Sequence, residues 1–134
     1  MPDTLRLRLV TPERLLLDEE VDEITAPGAV GEFGVLPNHI TFLSALEAGR
    51  LTYKRGGQTR HLAVSGGFTE VVDNVITVLA DAAEFAEEID VERARAALRR
   101  AEEQLKDLSP FTPEFAEAQA TLKRAEVRIR VAGR

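Results

Sequence analysis

The distribution of glycine constrains this chain more than any single motif does. Eight of the nine glycines fall before residue 68, and the last is Gly133. Glycine supplies the positive φ angles of tight turns and weakens helix interiors, so the first part is built for turns and the second is free to be helical. Charge breaks at the same place: residues 1–86 carry 7 Lys/Arg and 13 Asp/Glu, a balance of −6, whereas residues 87–134 carry 10 of each. A boundary near Glu87 is expected, with a β domain over residues 1–86 and a helical domain over residues 87–134. No Ser/Gly-rich linker lies between them, so the joint is short.

In the first part Leu5, Leu7 and Leu9 alternate with Arg6, Arg8 and Val10, the period of two of a half-buried strand. Thr11-Pro12-Glu13 then turns the chain, and the apolar runs at residues 15–17 and 21–26 follow, the second stopped by Pro27-Gly28. Gly56-Gly57 and Asp73-Asn74 each sit between two apolar runs, which is the signature of a hairpin. Ser65-Gly66-Gly67 reads as a turn; it lacks the preceding glycine and following helix of a nucleophile elbow. Short strands without intervening helices indicate an antiparallel β-sandwich or a flattened barrel of about eight to ten strands, because an antiparallel sheet needs a second layer over its apolar face.

The second part carries helical spacing. Val91, Ala94, Leu98, Ala101, Leu105 and Leu108 recur at three and four residues, and so do Phe115, Ala118, Leu122, Ala125, Ile129 and Ala132. Ser109-Pro110-Phe111-Thr112-Pro113 breaks the pattern, with Thr112 as N-cap and Pro113 at the first helical position of the next helix. The expectation is an antiparallel two-helix hairpin. Alternate seam positions are alanine, so the helices approach closely but bury little apolar area at roughly 25 cal/mol per Å². A hairpin held this weakly is able to open.

Composition removes several classes of function. The chain has no cysteine, so disulfides, thiolate metal sites and cysteine nucleophiles are excluded. A net charge of −6 with one Tyr and no Trp lacks the basic field and stacking platform of a nucleic-acid binder. Neither a membrane-length apolar run nor a signal-peptide profile is visible, so a soluble chain without membrane insertion is expected. His39 and His61 have no ligand-spaced partner, and Asp18, Glu19, Glu20, Asp22 and Glu23 read as a solvated acidic edge rather than a calcium loop. No acid/base or nucleophile constellation supports an enzyme.

The informative charges are arginines of the helical part. Arg124 and Arg128 share a face, and neither has an acid three or four residues away on its own helix. Arg93 and Arg100 are seven apart and also share a face, with Asp90 one turn before the first and Glu103 one turn after the second. Two outcomes are open: the arginines form an anion cradle, or they pair with Asp90 and Glu103 or stay solvated. Residues 122–134 hold five basic residues against one acid, a patch suited to an acidic partner.

Two segments carry a resemblance. Val10-Thr11-Pro12-Glu13 and Ala26-Pro27-Gly28, followed by Gly31-Glu32-Phe33-Gly34-Val35-Leu36-Pro37-Asn38-His39, form the first; Ala63-Val64-Ser65-Gly66-Gly67-Phe68-Thr69-Glu70-Val71 and residues 75–80 form the second. In this order they resemble the epsilon subunit family of the F-type ATP synthase, bacterial type, over nearly the whole chain. Asn38 stands where the family usually has glycine and Thr41 where it usually has proline, which puts the loop conformation in question.

The resemblance implies a non-catalytic rotor subunit that couples proton flow to ATP synthesis. Its β domain would dock on the gamma subunit and the c-ring, with Glu32 and His39 as interface residues. Its hairpin would fold down or extend into the alpha/beta catalytic head and inhibit ATP hydrolysis. Some members bind ATP as a regulatory ligand, with no cofactor required, through an I/L-D-x-x-R-A motif. Here Ile89-Asp90-Val91-Glu92-Arg93-Ala94 reproduces it, and Glu84, Arg100, Arg124 and Arg128 stand at the other matching positions. The implied location is peripheral, on the cytoplasmic face of a bacterial plasma membrane. An unrelated β-sandwich/helical-hairpin adaptor is the alternative.

Overall fold

The structure, a computed structural model, describes residues 4–39 and 41–133. The chain divides into two compact units, Met1–Phe85 and Ala86–Arg134. The first unit contains β1 (Leu5–Val10), β2 (Leu15–Val21), β3 (Glu23–Gly28), β4 (Gly31–Val35), β5 (Phe42–Ala45), β6 (Gly49–Arg55), β7 (Gln58–Val72) and β8 (Val75–Phe85). Both expected hairpins form. Gly56 and Gly57 have φ of 54° and 86°, and Asp73 and Asn74 have φ of 49° and 65°, so each two-residue turn places both central residues in the left-handed region that matches strand twist.

Three sequence expectations change. Ser65-Gly66-Gly67 is not a turn but a bend inside the 15-residue strand β7. Gly66 and Gly67 have φ of 62° and 106°, and the β7–β8 register skips from Ser65↔Ala82 to Gly67↔Ala80. A Cβ on Gly67 would collide with the Leu79 carbonyl oxygen, and one on Gly66 with the Asp81 carboxylate. Second, β4 and β5 are strands that the sequence did not mark: β4 pairs with β3 from Gly28↔Gly31 to Ile24↔Val35, and β5 pairs with β7 from Phe42↔Val71 to Ala45↔Phe68. Third, β1 runs parallel to β8, from Arg6↔Val75 to Val10↔Leu79, whereas the other ladders are antiparallel.

The bend explains the layering. Before it, β7 pairs with β6 up to Gly49↔Val64; after it, β7 pairs with β5. Strand β8 follows the same course, so one layer is β2-β1-β8-β7-β5 and the other is β8-β7-β6-β3-β4. Leu5, Leu7, Leu9, Val71, Ile76 and Val78 from the first layer and Ile24, Val35, Leu51, Tyr53 and Leu62 from the second form one buried cluster. This is the β-sandwich of the sequence reading, with eight strands.

The acidic residues of β2 and β3 are not simply solvated. Arg6 Nε lies 2.7 Å from Asp18 Oδ1, Lys54 Nζ 3.0 Å from Glu23 and Arg55 3.1 Å from Glu19, while Asp22 accepts a hydrogen bond from the Gly56 amide at 2.8 Å. The Arg6–Asp18 and Lys54–Glu23 pairs join neighbouring strands and support their register, while Arg55–Glu19 ties β6 to β2 across the two layers. The Arg6 hydrogen bond also holds the Asp18 carboxyl below its ordinary pKa.

The second unit opens with a 3-10 turn, Ala86–Glu88, then α1 (Val91–Asp107) and α2 (Pro113–Gly133). Asp90 caps α1 by accepting the Arg93 amide at 3.1 Å, and Thr112 caps α2 by accepting the Phe115 amide at 3.2 Å. Ala94, Ala101, Ala118 and Ala125 are buried in the seam as expected. Val127 and Val131 are buried as well, beyond the expected stripe, and α2 contacts the 3-10 turn in addition to α1.

The bend makes a prediction about glycine. Gly56→Ala, with open space around its Cβ, will cost about 1 kcal/mol for its left-handed backbone. Gly67→Ala adds a backbone collision and will cost at least about 3 kcal/mol in equilibrium denaturation. A second prediction concerns Tyr53, which is 1% exposed and whose phenol pKa is raised above 10.0, first by burial and then by the Glu19 charge. Because the folded state holds that proton more tightly than the unfolded chain, stability falls as pH rises above about 10. Denaturant midpoints of Tyr53→Phe across that range will decline less than those of the parent.

Candidate functional site

Two regions hold the residues singled out by sequence, and a third emerges only from strand register. The first is the hairpin. Ile89 and Ala94 are buried, so these motif positions serve packing. Asp90 spends one carboxylate oxygen on the helix cap. Arg93, Arg100 and Arg124 are exposed and Arg128 is half-buried. Among the described residues Asp90 and Glu103 do not pair with Arg93 and Arg100: Asp90 takes the Arg93 backbone amide, and Glu103 accepts Lys106 Nζ at 3.0 Å.

The antiparallel hairpin brings the first turn of α1 beside the last turns of α2, placing Arg93 and Arg128 at the same end. Further along, Arg100 and Thr121 line one interhelical groove, and Arg124 donates to Thr121 Oγ1 at 3.1 Å. The structure therefore distributes the four guanidinium groups along one hairpin, with Arg124 bonded to Thr121, which lines the same groove as Arg100. Their charge suits a polyphosphate. Glu84 lies in the first unit, on β8 opposite Ala63.

The second region is the loop that follows β4. Glu32 is exposed on β4, paired with Pro27, and the alternation of the strand sends Phe33 to the other side. Phe33 and Phe42 rings lie 5.1 Å apart, and His39 stands edge-on to Phe42 at 5.8 Å. His39 is thus anchored by an aromatic pair and does not share that side with Glu32. Asn38 has φ of 67°, and its amide donates to Asn74 Oδ1 at 2.8 Å. Asparagine tolerates this left-handed conformation where most residues do not, which answers the question raised by its replacement of glycine. Thr41 is exposed directly after residue 40, which lies outside the described residues.

The third region was missed. Ladder register places Leu15, Val10, Leu79, Phe68 and Ala45 in one row across β2, β1, β8, β7 and β5. This is the outer face of that layer: Leu15 is 48%, Leu79 51% and Phe68 56% exposed, and Leu43 in the adjacent row is 70% exposed. At strand spacing the row runs roughly 19 Å. Charged residues on the same face, Arg6, Arg8, Asp18 and Glu20, engage one another. The available signal was that β7 after the bend carries apolar residues in both phases, Phe68 and Val72 beside Glu70 in one and Val71 beside Thr69 in the other.

Comparison with known proteins follows the same two units. Residues 4–86 match the family model described as ATP synthase, Delta/Epsilon chain, beta-sandwich domain, and residues 87–133 match its long alpha-helix domain. The chain belongs to the ATP synthase delta/epsilon family. It is 55% identical over 134 residues to an ATP synthase epsilon chain of Geobacter metallireducens, covering 100% of this chain and 97% of that one. An epsilon chain of Nitratidesulfovibrio vulgaris strain DP4 is 55% identical over 133 residues, covering 99% and 98%. Among solved structures, a chain of the Euglena gracilis mitochondrial ATP synthase, determined as OSCP/F1/c-ring in rotational state 1, superimposes with a TM-score of 0.86 at 29% identity. That match covers 100% of this chain and 84% of the other. A chain of the Tetrahymena thermophila central stalk and c-ring assembly shares the fold, with a TM-score of 0.71 at 16% identity and 95% of each chain covered.

The chain is thus an epsilon-type subunit of the ATP synthase complex, and the unrelated adaptor is set aside. No described helix is long and apolar enough to cross a membrane. The capping role of Asp90 separates structure from ligand binding in the motif. Asp90→Ala will destabilise the helical unit by about 1 kcal/mol, whereas Asp90→Asn, which also caps, will leave it within a few tenths. Thermal unfolding monitored by helical circular dichroism checks both.

Proposed function

We propose that this chain is a non-catalytic rotor subunit: its sandwich docks on the gamma subunit and the c-ring, and its hairpin restrains ATP hydrolysis in the alpha/beta head. The observation that carries the docking half is the exposed row through Leu79 and Phe68, an apolar strip on a sheet face whose Arg6, Arg8, Asp18 and Glu20 engage one another. Such a strip suits the core of a protein–protein contact, with the Arg6 and Arg8 ladder at its rim. The gamma subunit is its occupant in this reading. Glu32 and the His39 loop form the accompanying contact toward gamma and the c-ring. Because the sandwich turns with gamma, it helps transmit proton-driven rotation to ATP synthesis while performing no bond chemistry itself.

The hairpin supplies regulation. Residues 122–134, with five basic residues against one acid, suit acidic surfaces of the catalytic subunits when the helices extend. ATP is the regulatory ligand of the folded hairpin: Arg93, Arg100, Arg124 and Arg128 hold its phosphates, while Asp90 contributes to the nucleoside. Binding to the folded form alone stabilises it by mass action, and depletion of ATP releases the helices. The fit rests on the donor set, since Arg93 and Arg100 carry guanidinium groups not consumed by Asp90 or Glu103. The assembly sits peripherally on the cytoplasmic face of a bacterial plasma membrane.

Two measurements test the halves separately. Phe68→Glu and Leu79→Glu will each weaken binding to purified gamma subunit by about 100-fold, whereas Arg50→Glu on the other layer will leave it unchanged. Unaltered gamma binding by both row variants would reject the docking face. Titration of the isolated protein with millimolar ATP will shift amide resonances around Arg93 and Arg124, and Arg100→Gln combined with Arg124→Gln will weaken that binding by about tenfold or more. Unchanged spectra would reject the nucleotide reading and leave the docking half intact.

A further inference from the structure

The two-residue turn between β7 and β8 holds Asp73 and Asn74 at positive φ, 49° and 65°. Glycine meets that requirement at the second position with less strain than any residue carrying a side chain. Asparagine stands there instead, and both ends of its side-chain amide are bonded. Oδ1 accepts the Asn38 amide at 2.8 Å, and Nδ2 donates to the Thr4 carbonyl at 2.7 Å. The backbone carbonyl of Asn74 also accepts the Arg6 amide at 3.1 Å. One half-buried residue therefore joins the β7–β8 turn, the start of β1 and the loop after β4. Its chemistry is hard to replace: Asp offers the acceptor without the donor, Ser is shorter and Gln carries an extra methylene.

The bond to Asn38 acts on the shape of that loop. His39 donates its amide to the Leu36 carbonyl at 3.1 Å, closing a four-residue turn with Pro37 second and Asn38, at φ of 67°, third. This combination is the signature of a type II turn. A type I turn over the same residues differs by a flip of the Pro37–Asn38 peptide, and type I is the commoner form. The amide of Asn38 belongs to that peptide and makes no bond inside the turn, so an acceptor outside it selects between the two orientations. Asn74 Oδ1 is that acceptor. The choice governs the directions in which Leu36, 57% exposed, and His39, edge-on to Phe42, leave the turn.

We propose that Asn74 is a positioning residue for docking: it holds the turn from Leu36 to His39 in the flipped orientation that presents Leu36 and His39 to the c-ring. The inference rests on the loop contact proposed above and adds the residue that sets the loop's shape. Asn74 acts through the Asn38 amide and not by touching the ring. The bond to Thr4 fixes the rotation of the carboxamide, so that Oδ1 faces the loop. Because the Asn74 carbonyl is bonded to Arg6 of β1, a force applied at the loop passes directly into the layer that carries the exposed apolar row.

The test compares three variants of the full chain, alone and as complexes with gamma titrated onto purified c-ring. Asn74→Gly keeps the left-handed turn and removes both side-chain bonds, Asn74→Asp keeps the acceptor for the Asn38 amide, and His39→Ala tests the loop contact itself. In the isolated chain, hydrogen exchange at the Asn38 amide will accelerate about fivefold in Asn74→Gly and stay near the parental rate in Asn74→Asp. The complex carrying Asn74→Gly will bind the c-ring about fivefold more weakly, and that carrying Asn74→Asp will bind like the parent. A role confined to the turn predicts the opposite order, because glycine is the better turn residue. Weakened ring binding in His39→Ala but not in Asn74→Gly would overturn the positioning role and leave the loop contact standing. Unchanged ring binding in His39→Ala would remove the loop contact and the positioning role with it. Unaltered Asn38 exchange in Asn74→Gly would also overturn the proposal, since the loop would then be held without the side chain.

Discussion

The close approach of Gly67 to the Leu79 carbonyl is the contact on which the sandwich depends. Only a residue without Cβ can occupy that position at φ of 106°, and the resulting bend lets β7 leave one layer and join the other while keeping β8 as its neighbour. Without it, β7 would pair along a single edge and the strands on either side, β5 and β6, would compete for the same partner. With it, both layers share a central pair, and their inner faces fill one core. The outer face of the β2-β1-β8-β7-β5 layer then follows by alternation, and its apolar row is a consequence of register rather than of any one residue.

That dependence marks where sequence reading succeeds and where it stops. The two hairpin turns and the two helix caps were legible because each is fixed by chemistry within a few residues: Gly56-Gly57 and Asp73-Asn74 accept left-handed backbone, and Asp90 and Thr112 offer side-chain acceptors to helix amides. The bend was misread as a turn because glycine signals positive φ without saying whether the chain reverses or merely kinks. Strands β4 and β5 were missed because they are short and their pairing partners are supplied by tertiary context. The exposed row was invisible for the same reason, since Leu15, Leu79 and Phe68 become neighbours only through long-range ladders. In the hairpin, by contrast, the arginine positions were readable from helical spacing, but the burial of Ile89 and Ala94 showed that part of the motif is packing.

The two units differ in how they are held. The sandwich has large buried side chains such as Tyr53, Leu5, Leu7 and Leu9 and ion pairs between neighbouring strands that support register. The hairpin seam is lined by alanines, so the apolar area each seam residue removes from water is small. A firm module and a lightly held one suit the proposed division between permanent attachment and regulated release.

The most direct measurement of the docking claim is cross-saturation transfer by NMR on methyl-labelled, deuterated chain bound to protonated gamma subunit. Saturation of gamma should pass to the methyl groups of Leu15, Leu79 and Leu43 and leave those of the buried Leu5, Leu7 and Leu62 largely unaffected. Transfer confined to hairpin methyls, or absent from the row while gamma remains bound, would contradict the account.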